Sequence, residues 1–229
     1  IPGHVGTAPI QNIGAYGVEV KSSIESLRFY RWETGETEVL NNNVCEFGYR
    51  TSVFKTKLRN KGVILSVNFK LTKNEHNLNT KYGSVIDEIN KMGKIPSILN
   101  ISKAIISIRS AKLPDPKNIG NSGSFFKNPI ISKNTLIDLR EKHKNIPFYV
   151  HENASVKLSA GWLIEMSGWK GKSHGDAGMH DKQALVLVNH GNATGEELWD
   201  FAKEVKEDVY KNFNINLEPE VNLIGLVNN

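Results

Sequence analysis

The sequence predicts a mixed protein of strands and helices, on three observations. Two stretches in its first third alternate apolar and polar residues with a period of two, as half-buried strands do. Later stretches space their apolar residues three and four apart, as amphipathic helices do. A continuous apolar run over residues 184–189 is followed by Thr194 and Glu197, the two ends of a capping box, which marks a strand leading into a helix.

Taken in order, residues 18–32 and 63–69 read as strands, the second with Val63, Leu65, Val67 and Phe69 on one face. Ser84 stands where it can cap a helix over 85–91. A longer helix is predicted over 97–111, with Ile98, Ile101, Ala104, Ile105 and Ile108 as its apolar stripe. Residues 135–143 read as a helix, 148–150 as a short strand, 157–166 as a helix and 168–180 as a long glycine-rich loop. The run 184–189 reads as a strand buried on both faces, and the helix after it reaches about Phe213, with Leu198, Phe201, Ala202, Val205 and Val209 facing a core. Pro219 then fixes the bearing of Glu220 at the head of a last strand, where the carboxylate is either a salt-bridging strand end or a catalytic acid.

Composition narrows the class of function. A chain of 229 residues with 39% hydrophobic side chains holds one large domain or two small ones. The net charge of +5 suits an anionic ligand, but the lysines are scattered among acids and make no stripe for nucleic acid. Cys45 is the single cysteine, which excludes an internal disulfide framework, and no apolar run reaches membrane-spanning length. A cytoplasmic protein is expected. The chain starts at Ile1, directly in a glycine-rich motif, and the expectation is that an N-terminal part precedes it.

Five stretches carry candidate chemistry. Residues 1–17 (IPGHVGTAPIQNIGAYG) interleave small and bulky residues, either to wrap a phosphate with backbone N–H groups or to make a tight connection. Phe47-Gly48-Tyr49-Arg50 sets a planar, permanently charged fork after a glycine, which suits a carboxylate or phosphate and also suits a solvated surface. Tyr82 sits on a loop shoulder, as a ligand contact or a packed ring. Lys112-Leu113-Pro114-Asp115-Pro116-Lys117 leads stiffly into residues 120–129 (GNSGSFFKNP), where Ser124 presents a hydroxyl beside Phe125 and Phe126; the alternative is an ordinary surface loop. The histidines and aspartate of 174–180 lack the spacing of a metal set, so no metal is expected.

The stretches 1–17, 47–50 and 112–129, with His180–Asn189 and Leu217-Glu218-Pro219-Glu220-Val221, resemble the UDP-N-acetylenolpyruvoylglucosamine reductase family, in family order and across essentially the whole chain. The segment bearing Tyr82 is similar to the insertion of the family's longer subtype. The resemblance implies the later part of an FAD-binding α+β domain over 1–109, an α+β substrate-binding domain over 110–219, and a strand over 220–229 returning to the FAD-binding region. It implies NADPH as hydride source, FAD as the relay, and a nucleotide-sugar substrate whose enolpyruvyl group is reduced to give UDP-N-acetylmuramate, by a protein that is monomeric at full length.

By the same resemblance Arg50, Ser124 and Glu220 are the catalytic groups. Arg50 holds the substrate carboxylate, Glu220 assists its polarisation, and Ser124 gives a proton to the neighbouring carbon. Tyr82, Lys112 and Asn128 are implied to bind substrate, and Pro2, Gly3, Gly6, Thr7, Gly14 and Arg109 to line FAD. Departures from the family pattern are His4 in the glycine run, Thr51 where aspartate is usual and Ser122 where alanine is common. Because the pyrophosphate loop of the family lies upstream of Ile1, the chain by itself is expected to bind FAD weakly or not at all. Two other readings compete: a non-catalytic nucleotide-sugar-binding module and a related FAD-dependent oxidase.

Overall fold

The structure, a computed structural model, describes residues 3–82, 84–151 and 153–225. The chain divides into two compact units, Ile1–Ile108 and Arg109–Asn229.

In the first unit a short hairpin, β1 (Gly14–Ala15) and β2 (Val18–Glu19), precedes the three-stranded antiparallel sheet of β3 (Ile24–Arg31), β4 (Thr37–Asn41) and β5 (Gly62–Phe69), with β3 central. Tyr16 (φ 51°) and Gly17 (φ 74°) form the two-residue loop of the first hairpin; both have positive φ, as a type I′ turn demands. Leu27 and Phe29 of β3 point into a core with Cys45, Val53 and Phe54. The face expected for β5 is the wrong one. The ladder shifts register between Arg28 and Phe29, skipping Leu65, and this bulge breaks the period of two. Ile64 and Val67 therefore pack on the core, while Val63, Leu65 and Phe69 are exposed.

Helices α1 (Val85–Lys91) and α2 (Ile98–Lys112) fall where the sequence predicts them. Val85 and Ile89 meet Ala104 and Ile108 in a second small cluster. Ser84 does precede α1, but its hydroxyl makes no capping bond; Asp87 and Glu88 in the first turn favour the positive end of the helix instead.

The second unit has two antiparallel sheets. One runs β10 (Ser173–His174), β11 (Ala177–Met179), β12 (Val186–Asn189), β6 (Gly120–Ser124), and the other β7 (Ile130–Ser132), β9 (Ser155–Leu158), β8 (Phe148–Val150). Helices α3 (Lys133–Lys142), α4 (Ala160–Met166) and α5 (Gly195–Phe213) complete it. One contiguous core joins Leu158, Leu163 and Ile164 to Phe126, Met179, Leu187, Phe201 and Val205. Each such side chain, fully withdrawn from water, contributes roughly 1.5–3 kcal/mol before conformational entropy is counted against it.

Three expectations change here. The helix predicted over 157–166 begins only at Ala160: Val156 and Leu158 alternate with Ser155 and Lys157 as a strand, and the Ser159 hydroxyl accepts the Trp162 amide at 3.2 Å to start the helix. The loop predicted over 168–180 contains the hairpin β10–β11, turned by Gly175 (φ 57°) and Asp176 between the paired His174 and Ala177. Of the strand expected over 220–229, none is formed over 220–225, and 226–229 lie outside the described residues; Phe126 and Pro219 make a single bridge, and proline has no N–H with which to extend a ladder. By contrast Val186, Leu187 and Val188 of β12 are buried as expected, and Thr194 and Glu197 make the full capping box of α5.

Candidate active site

The two units each hold part of the candidate chemistry. In the first, the glycine-rich segment begins with Gly3 (φ 143°), where a Cβ would meet nothing within 4 Å, and continues into a tight 3-10 turn over Val5–Thr7. Thr7 Oγ1 donates to His4 O at 2.8 Å, so that hydroxyl is committed within the turn. Gly6 has only Ile64 O at 3.7 Å from its would-be Cβ. Gly14 is different: a Cβ there would lie 2.6 Å from Val18 O, so the hairpin itself requires glycine at that position. Pro2 lies outside the described residues.

Arg50 stands in a tight turn closed by Thr51 N to Gly48 O at 3.3 Å and Gly48 N to Thr51 O at 3.1 Å. As the third residue of the turn it has φ 53°, a conformation that glycine or asparagine adopts readily and arginine does not. Its guanidinium is half-buried, stacks over Tyr49 at 5.2 Å and donates from Nη2 to Gly14 O at 2.7 Å. Arginine is thus held at both ends, by a strained backbone and by a fixed acceptor. Tyr82 meets the same segment: its ring lies edge-on to Tyr16 at 6.2 Å, and a Cβ on Gly17 would come within 3.2 Å of it.

In the second unit Ser124 closes β6 beside a bulge. Ser124 pairs with Val186 and Asn121 with Val188, so the β6 side spends one residue more than β12 does; Gly123, at φ 73°, takes the conformation that makes this possible. The Gly123 amide donates to Asn121 Oδ1 at 3.0 Å, which fixes the kink. The next residues pair with the chain end: Glu220 N donates to Phe125 O at 2.8 Å and Lys127 N to Glu218 O at 2.9 Å. Ser124 and Glu220 are thereby brought to adjoining positions of one short backbone ladder, both half-buried.

The remaining expected residues have evident local roles. Asn128 Oδ1 accepts the Ala160 amide at 2.9 Å and ties β7 to the start of α4, which leaves Nδ2 as the donor end of that amide. Arg109 is half-buried and Lys112 exposed in the last turn of α2, where the helix dipole favours cations. Burial pushes the Cys45 thiol up to about 11, so it stays protonated and is no nucleophile at neutral pH. Clefts of about 410 and 540 Å³ lie elsewhere, the first among His76, Leu78 and Pro96, the second among His174, Asp176 and Glu204. Among the described residues no group of three or more His, Cys, Asp or Glu can hold a metal ion, and no helix is long and apolar enough to cross a membrane.

Sequence reasoning overlooked Asn12, which is fully buried in the first unit. Its one legible signal is an asparagine two residues before a glycine that must approach backbone. It also missed the Tyr16–Tyr82 contact, which no periodicity announces.

Comparison with known proteins adds the following. Residues 115–224 match the family described as UDP-N-acetylenolpyruvoylglucosamine reductase, C-terminal domain. The UDP-N-acetylenolpyruvoylglucosamine reductase of Flavobacterium johnsoniae is 50% identical over 225 residues, covering 98% of this chain and 67% of the relative. The protein of the same name from Bdellovibrio bacteriovorus is 46% identical over 96% of this chain and 65% of its own length. The chain thus spans about two thirds of the length of these relatives. Among solved structures, UDP-N-acetylenolpyruvylglucosamine reductase from Thermus caldophilus has the same fold, with a TM-score of 0.61 at 22% identity, covering 97% of this chain and 60% of that one.

Proposed function

The chain belongs to the UDP-N-acetylenolpyruvoylglucosamine reductase family, and from that premise we propose that it carries the chemistry of the NADPH-dependent reduction of UDP-N-acetylglucosamine enolpyruvate to UDP-N-acetylmuramate, a step toward peptidoglycan. The observation that carries the reading is 50% identity to a so-named relative over 98% of the chain. The substrate is a small nucleotide sugar, and the setting is the cytoplasm, with a monomer at full length. Residues 1–109 serve the cofactor side and 110–219 the substrate.

FAD, when bound, supplies the relay of hydride from NADPH to the enolpyruvyl group. This chain's residues fit such a group: Gly3 leaves open space where a side chain would stand, and Val5 and Ile10 expose apolar surface on the same segment. Gly3, Gly6 and Thr7 are assigned to it, with Pro2 and Arg109. Gly14 joins that set through its backbone, since its lack of a side chain already serves the hairpin.

Reduction of the carbon distal to the carboxylate leaves negative charge beside that carboxylate. Arg50 is the group to receive it. Its planar fork can hold a carboxylate bidentately, and its fixed turn spares it the cost of ordering when substrate arrives. Glu220, protonated or sharing a proton, assists the polarisation. Ser124 Oγ–H donates the proton to the carbon next to the carboxylate; a hydroxyl suffices against a carbon so basic when it is held in contact. Tyr82, Lys112 and Asn128 bind the nucleotide diphosphate portion, as hydrogen-bond donors and a point charge.

The test uses the full-length protein with NADPH and the enolpyruvyl substrate under anaerobic conditions. NADPH oxidation that requires the substrate and yields UDP-N-acetylmuramate by mass spectrometry is expected. NADPH oxidation only with oxygen, and no product, would overturn the assignment.

A further inference from the structure

Asn12 is 0% exposed, a rare state for an amide side chain unless its polar atoms are occupied. They are occupied. Its Nδ2 donates to Gly48 O at 3.0 Å and to Glu19 Oε2 at 2.9 Å, while its Oδ1 accepts the Lys21 amide at 3.0 Å. Gly48 O is the carbonyl that also closes the turn beneath Arg50, by accepting Thr51 N. The asparagine therefore grips the very atom on which that turn depends. Two residues further along the same segment, Gly14 O receives the Arg50 guanidinium, and two residues back, Ile10 O receives the Ser52 hydroxyl at 2.6 Å. Three bonds, from Ile10, Asn12 and Gly14, thus stitch one side of the glycine-rich segment to the turn at 48–52.

The turn needs such a grip. Arg50 at φ 53° is a non-glycine residue in left-handed backbone, a strained conformation that persists only where its surroundings over-determine it. Asn12 is itself at φ 48°, which asparagine tolerates. We propose that Asn12 is a positioning residue: its buried amide clasps the Gly48–Ser52 turn to the glycine-rich segment and so sets the Arg50 guanidinium for the substrate carboxylate. The proposal rests on the carboxylate-holding role assigned to Arg50 above. It makes the cofactor segment and the substrate's arginine one rigid piece, so that a disturbance at the amide reaches the fork without touching either ligand.

Asn12→Asp in the full-length protein is the main variant. It keeps the size, the tolerance for left-handed backbone and the acceptor for Lys21 N, but it sets oxygen against Gly48 O and Glu19 in place of two donor bonds. Three readouts decide. Reoxidation of the reduced protein by substrate should slow on the order of 10- to 100-fold, as a misplaced binding group does, while flavin content and reduction by NADPH stay unchanged. Amide exchange over residues 48–52 should accelerate. Combined with Arg50→Lys, the double variant should be no slower than Arg50→Lys alone, because Asn12 acts through that side chain. Asn12→Ser, which keeps a donor and adds no charge, should fall between parent and Asp in reoxidation. Equal slowing of both half-reactions, or additive losses in the double variant, would overturn the positioning role. If Arg50→Lys itself leaves reoxidation untouched, the role of Arg50 fails; if it slows reoxidation and Asn12→Asp does not, the inference alone fails.

Discussion

Ser124 owes its position to two neighbours that do no chemistry. Gly123 supplies a positive φ and Asn121 holds the Gly123 amide, so that a bulge at the end of β6 turns the serine out of the ordinary alternation of the strand. At the scale of the single residue the role proposed for the hydroxyl is only to deliver a proton. Ser124→Ala in the full-length protein should therefore leave flavin reduction by NADPH intact and slow reoxidation by substrate, by roughly 10²–10⁴-fold as loss of a general acid does. Stopped-flow absorbance of the two half-reactions separates them, and equal slowing of both would remove Ser124 from the proton's path. Arg50 is the complementary case: its charge is permanent, and what its surroundings determine is orientation, through Gly14 O and the strained turn.

Helix α5 is the element with the clearest local specification. Thr194 Oγ1 accepts the Glu197 amide at 3.2 Å, and Glu197 Oε2 accepts the Thr194 amide at 2.7 Å, so two donors that the helix cannot satisfy are satisfied reciprocally. Phe201, Ala202, Val205, Val209 and Phe213 then fall on one buried stripe. Thr194→Ala should cost about 1 kcal/mol of stability at neutral pH, read by urea unfolding. The Thr194 backbone and then hydroxyl bonds hold the Glu197 carboxyl below its usual range. A folded-state value lowered in this way gives stability that is fully present above the unfolded pKa and lost as pH falls through the folded one. The stabilities of the parent and of Glu197→Gln should accordingly converge on acidification. A gap that widens instead would mean that the carboxylate is not what the cap uses.

Across the whole molecule the two units are built differently. The second has one contiguous core in which β12 lies between β11 and β6 and takes contacts from α5, whereas the first divides its apolar residues between a cluster under β3 and another between α1 and α2. Both β4 and β5 are edge strands among the described residues, and Val39, Val63 and Leu65 on them are exposed. Amides should open by the most costly route where burial is deepest. Hydrogen exchange followed by mass spectrometry should find β11, β12 and α5 the slowest segments of the chain, with β4 and β5 faster. Protection of β4 and β5 equal to that of β12 would show that the first unit is held by more than its own core.

The sequence by itself determined what depends on near neighbours. The capping box of α5, the buried run of β12 and the stripe of α2 from Ile101 to Ile108 are legible because their hydrogen bonds or spacings close within a few residues, while Ile98, expected on that stripe, is exposed. Resemblance in family order is also what proposes Arg50, Ser124 and Glu220 as the groups with chemistry. Tertiary structure decided the rest, for a physical reason: a contact between residues far apart leaves no period in the chain. The bulge at Leu65 reversed the buried face of β5, since one skipped residue inverts everything beyond it. Strand pairing turned the supposed start of a helix at 157 into the end of β9. And only folding brings Asn12 under Gly48, Arg50 onto Gly14 and Glu220 beside Phe125, where backbone atoms that carry no sequence signature hold the side chains in place.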